Sequence, residues 1–132
     1  GFAFAQEELV EALLRVKNSF NSYPLDVFAQ RGALAAYQDE AYFQESRARV
    51  IASREQLALA LAELGYEVLP SAANFLLASP PGGDAAGLFV RLRERGILVR
   101  HFSRPRIDRF LRISIGSEEA CETLLGVLKD LS

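Results

Sequence analysis

At 132 residues, 50% of them hydrophobic, the chain is long enough for one domain with its own core and too short for two full ones. A formal net charge of -2, with acids and bases interspersed, leaves no basic stripe to follow a phosphate backbone and argues against nucleic acid as a partner. No apolar run approaches the roughly 20 residues that a membrane helix needs, and no leader pattern opens the sequence, so a cytoplasmic protein with no membrane partner is expected.

In chain order, GFAFA at residues 1–5 reads as a short strand, and because domains seldom begin inside a strand the chain is expected to start further upstream. QEELVEALLRVK follows as an amphipathic helix with Leu9, Leu13 and Val16 at helical spacing and acids in its first turn. NSFNSYP breaks that period and reads as a linker, with Pro24 suited to the first position of the next helix. From Leu25 to Tyr37, Val27, Phe28, Leu34 and Ala35 predict a helix able to pack closely. A helix of about 22 residues is then predicted from near Ala41 to Leu64. It carries Phe43, Val50, Ile51, Leu57 and Leu61 on one stripe, with Arg47, Arg54 and Glu55 outside, and ends at Gly65.

Beyond Gly65 the apolar period shortens to about two, and YEVLP, NFLLAS, ILVRHF and FLRISIG are candidate strands. DAAGLFVRLRERG and SEEACETLLGVLKDLS are helices, the second N-capped by Ser117, and both are expected to cover one face of the sheet. SPPGGD has the composition of a surface turn and lacks the pattern of a phosphate loop. The expected fold is α+β: two or three helices, then a small antiparallel-rich sheet of three to four strands packed against helices. Cys121 reads as a small core residue, and with His101 as its one candidate companion no metal site is expected.

FLRISIG, residues 110–116, sets an arginine inside a β-branched run. Alternation places Leu111, Ile113 and Ile115 on one face and Phe110, Arg112 and Ser114 on the other. In ILVRHF it groups Ile97 with Val99, and Leu98 with Arg100. If these strands pair across HFSRPRIDR, the two arginines can converge on one small anion such as a carboxylate or phosphate. The open alternative is that each is a surface arginine with a local carboxylate partner.

SAANFLLA, GILVRHF and LRISIGSEEACETLLGVL, in that order and at those separations, resemble the C-terminal small domain of histidinol-phosphate aminotransferases, pyridoxal-phosphate enzymes of fold type I. GFAFAQEELVEALLRVKNSFNSYPLD resembles that family's passage out of the large domain. The resemblance implies that residues 1–24 end the large-domain region and its linker, and that residues 25–132 form the small domain. By the same resemblance Arg112 grips the substrate's acidic group. Arg100 helps hold the phosphate or carboxylate of the alternating substrates. Asn74 falls near the active-site entrance, where a strand-edge hydrogen bond is its plainer role, and Tyr23 lies in a linker similar to the family's YNV-type segments.

The family's Schiff-base lysine lies in a segment just before the glycine that matches Gly1, so no catalytic residue is expected in this chain. Lys17 and Lys129 read as solvated, and no pyridoxal phosphate is expected on this chain alone. For the complete parent the resemblance implies pyridoxal phosphate, a homodimer, a missing N-terminal large domain, and histidinol phosphate with glutamate and 2-oxoglutarate as substrates. Competing expectations are a related fold-type I enzyme (threonine-phosphate decarboxylase or an aromatic aminotransferase), a non-catalytic small-anion-binding module, and a structural interaction domain.

Overall fold

The computed structural model describes residues 3–20 and 25–131. Three helices, α1 (Glu7–Phe20), α2 (Val27–Gln38) and α3 (Glu40–Glu63), precede a region in which strands and helices alternate. Its elements are β1 (Glu67–Val68), β2 (Phe75–Ser79), α4 (Ala85–Glu94), β3 (Arg100–His101), β4 (Leu111–Ser114) and α5 (Glu118–Asp130). By its packing the chain divides into residues 1–40 and residues 41–132.

In the first unit, residues 3–5 are not a strand, contrary to the reading of GFAFA, and residues 1 and 2 lie outside the described residues. Helix α1 runs three residues past Lys17, to Phe20, because Ser19 does not break it: its hydroxyl donates back to the Val16 carbonyl at 2.7 Å. Helix α2 opens at Val27 with the Asp26 carboxylate accepting from the Ala29 amide, so Pro24 is not its first residue. Pro24 and Tyr23 lie outside the described residues. The close packing expected of Val27, Phe28 and Leu34 is not present, and no residue of α1 or α2 is buried. Two short helices alone have no sheet on which to lay an apolar stripe.

The second unit has the core. Leu57 and Leu61 of α3, Ala85, Leu88 and Leu92 of α4, and Leu124 and Leu128 of α5 pack in one cluster with Leu76, Ala78, Leu111 and Ile113 of the sheet. Helix α3 ends in a Schellman motif: Gly65 takes φ +82, its amide donates to the Ala62 carbonyl, and the Tyr66 amide reaches the Leu61 carbonyl. Tyr66 then drops into the same cluster as Leu61. Asp84 caps α4 through the Gly87 amide, and Ser117 caps α5 through the Ala120 amide, as its position ahead of two glutamates suggests. Cys121 is half-buried against the cluster.

The four strands lie in the order β1-β2-β4-β3 with every neighbouring pair antiparallel, as an α+β fold with an antiparallel-rich sheet requires. Strand β4 enters between β2 and β3, a placement that proximity in sequence does not reveal. The strands are shorter than the apolar runs suggest: β1 and β3 have two residues each. Leu98 is exposed while Ile97 and Val99 pack on the cluster, so alternation holds even where ladder bonds do not.

Candidate functional site

Strand β4 positions Arg112 through its alternation. Leu111 and Ile113 are buried in the cluster, and Arg112 and Ser114 take the other face, with Arg112 half-buried and Ser114 exposed. Phe110, which alternation assigns to Arg112's side, precedes β4 and is buried. It stays out of the cluster, with the Arg109 guanidinium 4.9 Å from its ring centroid and bonded in turn to Glu67 at 2.9 Å.

Antiparallel pairing sets Arg100 directly opposite Arg112, and on its other side Arg112 pairs with Leu77. The two guanidiniums are therefore brought to one face of adjacent strands, as the pairing of these runs predicts. Neither has an ion-pair partner among the described residues, so the alternative of local carboxylate partners has no support there. Each instead lies over an aromatic ring: Arg112 at 5.3 Å from the centroid of Phe75, Arg100 at 5.0 Å from that of Phe102. The Arg112 Nε is buried and has no hydrogen-bond partner. A buried donor on a permanently charged group is costly unless an acceptor meets it, and the acceptor that fits a guanidinium fork is a carboxylate or phosphate.

Asn74 stands just before β2, where its backbone carbonyl accepts from the Ile115 amide at 2.9 Å, the strand-edge bond expected of it. Alternation from Phe75 turns its side chain away from the arginine face. It lines an open cleft of about 460 Å³ with Phe43, Arg47, Val50 and Arg54, and neither Arg100 nor Arg112 borders that cleft. Arg54, expected to point outward, is only 14% exposed and donates to the Ala73 carbonyl at 3.1 Å. The loop before β2 folds over it, so helical period alone misjudges its surroundings.

Two residues escaped sequence reasoning. Phe102 lies two positions from Arg100 and so shares its face, a signal that alternation carries. Phe75 meets Arg112 only because β4 pairs with β2, and no local pattern reports that pairing. The chain's two lysines, Lys17 and Lys129, are both exposed on helices, so neither shelters an imine from water.

The site is thus an antiparallel sheet backed by helices, with two opposed arginines on its other face. The chain belongs to the aminotransferase class I and II family, whose model matches residues 1–128. It is 56% identical over 131 residues to histidinol-phosphate aminotransferase 1 of Bordetella parapertussis, covering 99% of this chain and 37% of that protein. A Burkholderia pseudomallei protein assigned as an aminotransferase has a similar structure, with a TM-score of 0.81, 31% identity, and coverage of 97% of this chain and 38% of that one. The fold is also that of part of Sinorhizobium meliloti histidinol-phosphate aminotransferase, solved with pyridoxal-5'-phosphate: TM-score 0.76, 22% identity, covering 92% of this chain and 35% of that one. The chain thus spans little more than a third of the length of the curated relatives it matches. Among the described residues, no helix is long and apolar enough to cross a membrane.

Proposed function

We propose that this chain is the C-terminal part of a pyridoxal-phosphate-dependent aminotransferase that exchanges an amino group between L-glutamate and imidazole-acetol phosphate, giving histidinol phosphate and 2-oxoglutarate. Its own contribution is to recognise the substrate's acidic group. The observation that carries this reading is the Arg112 guanidinium, half-buried, with an unmet donor and no ion-pair partner among the described residues, paired across the sheet with Arg100. The high identity to histidinol-phosphate aminotransferases supports the choice of substrate.

In this reading residues 1–24 close the large-domain region and residues 25–132 are the small domain of a cytoplasmic homodimer. The exposed apolar stripes of α1 and α2 agree with further chain being needed to cover them. The cofactor, when bound, supplies an electron sink for the reaction. The residues present here do not fit it, because both lysines stand on exposed helix surfaces, and no bond-making step is assigned to this chain. Arg112 and Arg100 bind and orient: guanidinium grips on acidic groups fix the substrate's direction, which lowers the entropic part of the barrier. Asn74 borders the neighbouring cleft and shapes the approach to it.

The test is steady-state amino transfer by the complete protein with histidinol phosphate and 2-oxoglutarate, wild type against Arg112→Ala. Turnover with this pair, and its loss of efficiency in the variant, supports the proposal. Turnover of phosphothreonine or an aromatic amino acid, with none of histidinol phosphate, assigns the chain to a related enzyme.

A further inference from the structure

We infer that Phe75 and Phe102 are positioning residues that hold the guanidiniums of Arg112 and Arg100 on separate rests, so that the site offers two distinct anion grips. The inference rests on the reading of those arginines as the acid-binding pair. Residues directly opposite on antiparallel strands have β-carbons about 4.5–5.5 Å apart, and like charges in such a pair repel. Arg100 and Arg112 are such a pair, and neither has an ion-pair partner among the described residues. What each has is an aromatic face, at 5.0 and 5.3 Å, whose negative quadrupole attracts a cation.

The register gives the arrangement a direction. Phe75 pairs with Ser114, two residues beyond Arg112 toward the C-terminal end of β4. Phe102 follows Arg100 by two residues, and because β3 runs antiparallel to β4 it lies toward the opposite end of the pair. The two rings therefore flank the Arg100 and Arg112 row from opposite sides. Where a ring meets a guanidinium by its flat face, the in-plane N–H groups remain for a ligand, and centroid distances of 5.0 and 5.3 Å bring each ring within reach of its arginine. Each ring thus orients a fork without consuming its donors, and two acidic groups on one substrate, or one acid on each of two alternating substrates, meet separate forks.

The experiment uses the complete enzyme and the variants Phe75→Leu, Phe102→Leu, Phe75→Tyr and Phe102→Tyr, with Arg112→Ala as reference. The readouts are KM and kcat for the amino donor and the inhibition constant of inorganic phosphate. Each leucine variant is expected to raise KM and the phosphate constant about three- to tenfold with kcat little changed, because a stacked cation loses its rest. The tyrosine variants, which keep the ring face, restore both values. Adding Phe75→Leu to Arg112→Ala adds no further loss, since the ring acts through that arginine. Phe75→Met fills similar volume without a quadrupole and replaces the leucine variant if that one fails to fold. Unchanged constants in the Leu or Met variants, with a raised KM in Arg112→Ala, overturn this inference alone. An unchanged KM in Arg112→Ala overturns the acid-binding reading, and the inference with it.

Discussion

Arg100 and Arg112 face each other directly across β3 and β4, two like charges in a position where a sheet ordinarily places an apolar or oppositely charged pair. Cation–π contacts with Phe102 and Phe75 ease the repulsion, but contacts of that kind contribute only about 0.5–2 kcal/mol and leave the Arg112 Nε unbonded. An anionic ligand meets both needs. Acidic groups held by the two forks would neutralise the pair and supply the missing acceptor, so the same feature that costs stability in the free chain would favour binding.

Arg112→Ala in the complete enzyme is expected to lower kcat/KM for acidic substrates by roughly ten- to a hundredfold, the scale of a lost charged hydrogen bond of about 1.5–3 kcal/mol. Arg112→Lys keeps the charge and loses the fork, so it falls between the two. Kinetics with both halves of the exchange reaction check this; equal kcat/KM for wild type and Arg112→Ala removes the assigned role.

Arg54 ties α3 to the loop that leads into β2. Its guanidinium is largely buried and bonds the Ala73 carbonyl, next to Asn74. Arg54→Ala leaves that carbonyl without a charged donor and is expected to destabilise the second unit by about 1–3 kcal/mol. Amide exchange at residues 71–75 should quicken more than exchange in α5. Uniform quickening across the unit would show that the loop does not depend on this bond.

The parts of the fold that were legible in the sequence are those fixed by local chemistry. Two-residue alternation placed Arg112 and Ser114 opposite Leu111 and Ile113, because a strand admits no other period. Ser117 and Gly65 marked helix ends because an orphan amide needs an acceptor and a left-handed residue favours glycine. What depended on distant chain was not legible. The insertion of β4 beside β2 creates the Phe75 and Arg112 contact, and the loop at Ala73 turns Arg54 inward. The apolar stripes of α1 and α2 are genuine helical patterns, yet a pattern states only that a face can be buried.

The core offers a contrast between two leucines. Leu61 is fully buried where α3 meets the cluster, whereas Leu98 is 82% exposed beside β3. Leu61→Ala is expected to cost about 2–5 kcal/mol, the transfer term plus the cavity it leaves, whereas Leu98→Ala, which opens no cavity, should change stability by less than about 0.5 kcal/mol. Denaturant unfolding of the two variants decides it. Similar midpoints would mean that the cluster around Leu61 does not hold the unit together.

Tyr66 makes stability depend on alkaline pH. Burial raises its pKa above the ordinary 10.0, and Arg91 lowers it in part. The neutral phenol is thus favoured in the folded chain, and as pH climbs the unfolded chain releases the proton first. The contribution is fully present below the unfolded value and is lost as pH rises through the folded one. Tyr66→Phe has no such proton. Urea unfolding at about pH 8 and about pH 11 should therefore show the stability of the wild type falling relative to the variant as pH rises. A difference that stays constant between those conditions would mean that the Tyr66 hydroxyl meets water as readily in the folded chain as in the unfolded one.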